Sequence, residues 1–161
     1  MDRAARAIEQ WRRERPDLDV SPMAVIGRLS EAASLISRER LAPLFARFGL
    51  QQGEFDVLAT LRRSGHPYAL MPTALYEATM VTSGAMTARL DRLEKAGLIE
   101  RAPHPSDRRG VVVRLTAKGL DLVEEALAAH VANEHEILAA LTGPERQTLA
   151  NLLEKLIGSL S

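Results

Sequence analysis

Residues Leu70–Gly119 read LMPTALYEATMVTSGAMTARLDRLEKAGLIERAPHPSDRRGVVVRLTAKG, and this stretch decides the fold. Pro72 to Thr79 predicts a short helix, and Met80 to Thr82 a turn. A second helix begins near Ser83, with Met86, Leu90, Leu93 and Gly97 recurring at intervals of three to four, the period of one helical face. Leu98–Ala102 and Val111–Leu115 read as two strands, and His104–Gly110 as the turn between them. The order is helix, turn, helix, strand, basic loop, strand. This is the pattern of a winged helix-turn-helix, whose two projections match two surfaces of duplex DNA. A helix fits the major groove, and a basic loop can reach the adjacent minor groove.

Five helical stretches frame this segment. Asp2–Arg15 carries Ala4, Ala7, Ile8 and Trp11 on one face and stops at Pro16. Ser21 followed by Pro22 is a start signal, a cap and then proline at the first helical position. The helix it opens runs through Met23, Ile26, Leu29, Ala33, Ile36, Leu41 and Leu44 to Gly49. Gln51–Arg63 forms the next and closes at Ser64-Gly65. Thr116 caps a helix to about Leu141, and Thr142-Gly-Pro-Glu145 is a capping box opening the last one. That last helix carries a stripe of Leu149, Leu152, Leu153, Leu156, Ile157 and Leu160. The expected fold is mainly helical with a small β-wing, as a single domain over 1–161. Residues 50–115 are its DNA-binding region, and the helices of 2–48 and 116–160 contribute to dimerisation. A two-fold dimer suits palindromic DNA with half-sites about 34 Å apart.

The bulk composition narrows the function classes. The 161 residues contain no cysteine, which excludes disulfides and thiolate metal sites. No apolar run is long enough to span a membrane and no secretory leader is legible, so the expected compartment is the cytoplasm. Net charge is zero, but its distribution is uneven. Gly84–Leu115 holds seven basic residues against four acidic, whereas Thr116–Ser161 holds three basic against seven acidic. The positive charge sits on the proposed reader, where phosphate neutralisation requires it. No nucleophile elbow, glycine-rich phosphate loop or metal pair stands out, so neither catalysis nor a cofactor is expected. His130 and His135, with Glu134, read as surface residues, and His66 and His104 as loop residues.

Each helical residue advances about 100° around the axis. With Met86, Leu90 and Leu93 buried, Gly84, Thr87, Ala88 and Asp91 point the other way, toward the groove. Thr87 can bond a base edge, and Gly84 and Ala88 permit close approach. Ser83 near the free amides of the helix start can hold a phosphate, and Arg92 can clamp one. Arg89 lies about 60° off the buried stripe and therefore faces inward, not toward DNA. Phe55, Val57, Leu58, Ala59 and Leu61 surround Asp56, which predicts a substantially buried carboxylate in need of a partner.

The run Ser83–Arg101, with Asp107-Arg-Arg-Gly110 and Val113-Arg-Leu-Thr116-Ala-Lys-Gly119, resembles the MarR family of transcriptional regulators. The resemblance covers about Met23 to Leu160. It implies a helical homodimer that binds a DNA operator, usually represses a neighbouring gene and is released by a small ligand. In the wing, Asp107 and Arg109 match the family's acid and base pair. The pairing implies that Asp107 holds an arginine extended while Arg108 or Arg109 enters the minor groove.

Trp11 on an additional N-terminal helix, Asp56, Arg89 and Arg101 further resemble the urate-responsive branch of that family. The resemblance implies an aromatic wall for a planar ring, an arginine for its anionic edge, and a charge pair between Asp56 and Arg101 that the ligand disturbs. Phenolic acids, aromatic antibiotics or a polycarboxylate could use the same arginines. A ligand-independent winged helix that contacts DNA or protein is the competing class. Trp11 as core packing, with the charges as a structural ion pair, is the plainer reading of those four residues.

Overall fold

The structure is a computed structural model, and it describes residues 2–79 and 83–160. The expected turn at Met80–Thr82 lies outside the described residues. The chain forms two compact units, residues 1–43 and 44–161.

In the first unit, helix α1 (Arg3–Glu14) starts on Asp2, whose carboxylate accepts the Ala5 amide at 2.8 Å. Such a cap contributes about 1 kcal/mol. The same carboxylate pairs with Arg28 of α2 (Pro22–Leu35) at 2.8 Å, and Ala4 and Ile8 are buried. Trp11 does not join them: it is 46% exposed, which removes core packing as its role within this unit. Ser21 also departs from expectation. Its backbone is already helical and its hydroxyl makes no cap bond, while Asp19 accepts the Ser21 amide at 3.0 Å.

The stripe from Met23 to Leu44 predicts one unbroken helix, but Ile36–Leu41 widens into a π turn before α3 (Ala42–Ala46). The Ala42 amide bonds the Ser37 carbonyl, five residues back. The cause is Pro43, which has no amide to donate and whose ring crowds the carbonyl four residues earlier. A wider turn immediately ahead of it relieves the crowding.

The second unit is organised around α4 (Gln52–Arg63). Its start is closed by reciprocal bonds between Gln51 and Glu54, with the Gln51 amide 2.8 Å from the Glu54 carboxylate. Phe55, Val57, Leu58 and Leu61 are buried. Strand β1 (Ala69–Leu70), α5 (Pro72–Thr79), α6 (Ser83–Lys95), β2 (Ile99–Pro103), β3 (Val111–Leu115), α7 (Ala117–Ile137) and α8 (Gly143–Leu160) follow. The sheet is antiparallel in the order β1-β3-β2, with Ile99 opposite Leu115, Pro103 opposite Val111 and Ala69 opposite Arg114. The wing strands and the short helix α5 fall within a residue or two of expectation; β1 was not expected.

α4 packs against α5, α6, α7 and β3. Leu58, Leu61, Leu75, Leu93, Ile99, Val113 and Val123 meet there with no appreciable solvent contact. Thr116 caps α7 as expected, accepting the Gly119 amide at 3.0 Å. α7 ends at Ile137, short of Leu141. Glu145 accepts from the Thr142 amide at 2.7 Å, and the α8 it opens buries none of its residues.

Candidate nucleic-acid interface

α6 divides as its periodicity requires. Met86, Leu90 and Leu93 are buried, while Gly84, Thr87, Ala88 and Asp91 are exposed on the opposite side. Ser83 begins the helix, but its side chain lies outside the described residues. A groove of about 350 Å³ lined by Pro72, Tyr76, Met86 and Thr87 runs between α5 and α6. The exposed face from Gly84 to Ala88 therefore offers small side chains and one hydroxyl, the shape that lets a helix approach base edges closely.

Two ion-paired clusters fix the orientation of this helix. Arg92, expected at a phosphate, is turned toward α4. Its guanidinium lies 2.8 Å from the buried Glu54 carboxylate and 2.9 Å from the Gln51 side chain. Arg101 on β2 bonds Asp91 at 2.7 Å and also pairs with Glu94. This corrects the expected contact of Arg101 with Asp56: the wing-base arginine holds the recognition helix instead. Its two carboxylate partners stand three residues apart on α6, within reach of one fork of donors.

Beyond β2 the wing tip is a tight turn. His104 and Gly110 close it, with the His104 amide 2.8 Å from the Gly110 carbonyl. Asp107 accepts the backbone amide of Arg109 at 3.0 Å, so the acid shapes the turn through the main chain. Arg108 and Arg109 are both exposed.

Arg89 turns inward, as the helix geometry predicts, and comes to lie over Gly53 of α4. A Cβ at position 53 would collide with its guanidinium, so the glycine makes the close approach possible. Asp56 stands one turn further along α4. It is exposed by surface area, which corrects the expectation of substantial burial. Even so, partial desolvation raises its carboxyl above the ordinary aspartate value of 3.8, against the attraction of Arg89, His130 and Arg63. Asp56 lines a cleft of about 560 Å³ with Thr60, Arg63, Thr79, Leu127 and His130.

His130 is not the surface residue that the sequence indicates. Its ring centroid is 5.3 Å from Phe45 and 5.1 Å from Phe55, which are themselves stacked at 4.3 Å. Nε2 meets Glu134 at 3.1 Å. Phe45 and Phe55 lie far from residue 130 in the chain, so no local signal could have placed it. Of the four residues attributed to a ligand, Trp11 belongs to the first unit and Asp56, Arg89 and Arg101 to the second.

A small-faced helix held by ion pairs, beside a basic turn shaped by main-chain bonds, defines a winged helix-turn-helix of the DNA-reading class. Residues 50–111 match the MarR family. The chain is 47% identical over 146 residues to the HTH-type transcriptional regulator PecS of Dickeya dadantii, covering 91% of this chain and 87% of that protein. It also resembles a solved structure of a mutant Escherichia coli MarR complexed with operator DNA, at 30% identity and a TM-score of 0.73. That match covers 86% of this chain and 99% of the other. Sco3205 of Streptomyces coelicolor, solved in complex with DNA, matches at 25% identity and a TM-score of 0.79, covering 89% and 94%. The chain belongs to the MarR family of DNA-binding transcriptional regulators. Among the described residues no helix is long and apolar enough to cross a membrane.

Proposed function

We propose that this regulator is a repressor that binds a palindromic operator as a homodimer and is released by a small anionic aromatic ligand such as urate. Thr87, Ala88 and Gly84 read the major groove. Ser83 assists at the backbone, as does Arg92 with the half of its side chain left exposed beside Glu54, and Arg108 or Arg109, set by Asp107, enters the minor groove. The observation that carries the ligand reading is the inward placement of Arg89, a recognition-helix arginine held over Gly53 and within the field of Asp56. An anion arriving there competes with Asp56 for Arg89 and repels the carboxylate. Because Arg89 is on α6, and Arg101 joins α6 to the wing, a shift at Arg89 reaches both DNA-contacting elements. Trp11, exposed on the first unit, offers an aromatic face of the kind that stacks on a planar ring. Ligand and DNA then favour different conformers, and each weakens the other's binding by the same factor.

Titration with urate, following tryptophan fluorescence and the mobility of DNA from the gene's own upstream region, tests this. The expected result is quenching of the single tryptophan together with release of the DNA. Arg89→Ala and Trp11→Phe should weaken the response at least about tenfold while helical content stays unchanged. Retention of DNA with no quenching at saturating urate would sink the urate reading.

A further inference from the structure

The wing tip contains a histidine that neither the family signature nor the ligand reading uses. His104 opens the turn, and two successive main-chain amides, those of Ser106 and Asp107, each point at its Nδ1 at 3.2 Å. The Ser106 hydroxyl is 3.3 Å from the same atom. An amide can only donate, so Nδ1 must accept, and the neutral ring carries its proton on Nε2. This is the geometry of an Asx turn, with imidazole in place of the usual side-chain oxygen. The rest of the turn depends on it. The Gly110 amide bonds the Asp107 carbonyl at 3.0 Å, and Asp107 in turn accepts the Arg109 amide. Gly110 closes against the histidine so tightly that a Cβ there would come within 2.9 Å of the His104 Cβ.

We propose that His104 is the positioning residue of the wing, and that its unprotonated Nδ1 holds the turn that presents Arg108 and Arg109 to DNA. The inference rests on the DNA-binding reading of the wing. Protonation would turn Nδ1 into a donor facing two donors, and the turn would lose both amide bonds. The same turn carries Asp107, Arg108 and Arg109 as its charged groups, and the two strands it joins carry Glu100, Arg101 and Arg114 nearer the base of the wing. Arg101 is engaged by α6, and Arg114 pairs with Glu100 at 2.7 Å. Added positive charge by itself would strengthen attraction to phosphate, so a loss of affinity on acidification distinguishes turn geometry from charge.

The test compares the unmodified protein with His104→Asn and His104→Leu, using duplex DNA from the gene's upstream region between about pH 8 and pH 5, the range in which histidines titrate. Asparagine keeps an acceptor in place and does not titrate; leucine keeps bulk and removes the acceptor. At pH 8 the Asn variant should match the unmodified protein, and the Leu variant should bind roughly tenfold more weakly with unchanged helical content. On acidification the unmodified protein should lose affinity, and the Asn variant should lose markedly less. In the free protein, the amide resonances of Ser106 and Asp107 should titrate with His104 and stay fixed in the Asn variant. Equal acid loss in the unmodified and Asn proteins overturns the proposal, and so does a Leu variant that binds normally at pH 8. Titrating amide resonances in a protein that binds no DNA would leave the turn chemistry intact and refute the DNA reading instead.

Discussion

Asp56 sits where two opposing influences meet. Partial burial favours its neutral form, and three cationic or titratable neighbours favour its charged form; burial prevails, because the carboxyl is raised. The folded protein therefore holds this proton more tightly than the unfolded chain does. The contribution to stability is fully present below the ordinary aspartate range and is lost as pH rises through the raised value. Asp56→Asn should accordingly unfold at a higher temperature than the unmodified protein at pH 7, and the gap should close toward about pH 3, well below the ordinary aspartate value of 3.8, where both side chains are essentially neutral. Thermal melts at the two pH values check this; an equal shift at both would assign the effect to something other than charge. The same variant removes the carboxylate that competes with a ligand for Arg89, so urate should bind it more tightly if repulsion is the trigger.

The recognition helix owes its orientation to partners that lie distant in the chain. Glu54 is buried and half of its ion pair is the Arg92 guanidinium, itself about half exposed. Removing Arg92 strands a buried carboxylate, while solvent at the exposed side softens the loss. Arg92→Met should thus cost about 1–2 kcal/mol in chemical denaturation. Glu54→Gln should show a coupling with it in a double-mutant cycle, and DNA affinity should fall in step. A phosphate clamp alone would weaken DNA binding and leave stability unchanged. What was legible here and what was not follows the range of the forces. Met86, Leu90 and Leu93 were readable because a helical period is local, and the wing because its strands are joined by seven residues (His104–Gly110). β1 was not, since two residues become a strand only by pairing with β3 some forty residues later. Arg92 looked free for the same reason: its partners, Gln51 and Glu54, lie at the start of α4, some forty residues earlier. Pro43 was the one missed signal present in the sequence itself, sitting inside a stripe otherwise regular enough to hide it.

At the scale of the whole molecule, the apolar surface left uncovered is concentrated at the two ends of the chain. Val25 and Ile26 on α2, and Leu152, Ile157 and Leu160 on α8, are each more than half exposed. A helix of eighteen residues with none buried is incomplete as a monomer. Covering such side chains gains about 1.5–3 kcal/mol each. In the proposed two-fold dimer Ile157→Glu acts twice, and it should therefore weaken self-association by at least about a hundredfold in sedimentation velocity. In the unmodified protein the unfolding temperature should rise with concentration, as linked association requires. A concentration-independent melt from a monomeric species would contradict the dimer.

The hydroxyl of Thr116 performs two tasks at once. It accepts the Gly119 amide to begin α7 and donates to the Gly97 carbonyl at 2.7 Å, just past the end of α6. Lys118 adds a second tie to the Ala96 carbonyl at 2.8 Å. The foot of a 21-residue helix is thereby pinned to the end of the reading helix. At 1.5 Å per residue α7 is a rod of about 31 Å, so a sideways displacement of about 1 Å at its far end needs a tilt of only about 2°. Pinned in this way, the rod gears down motion: coarse displacements along its length arrive at the base-reading surface as fine rotations.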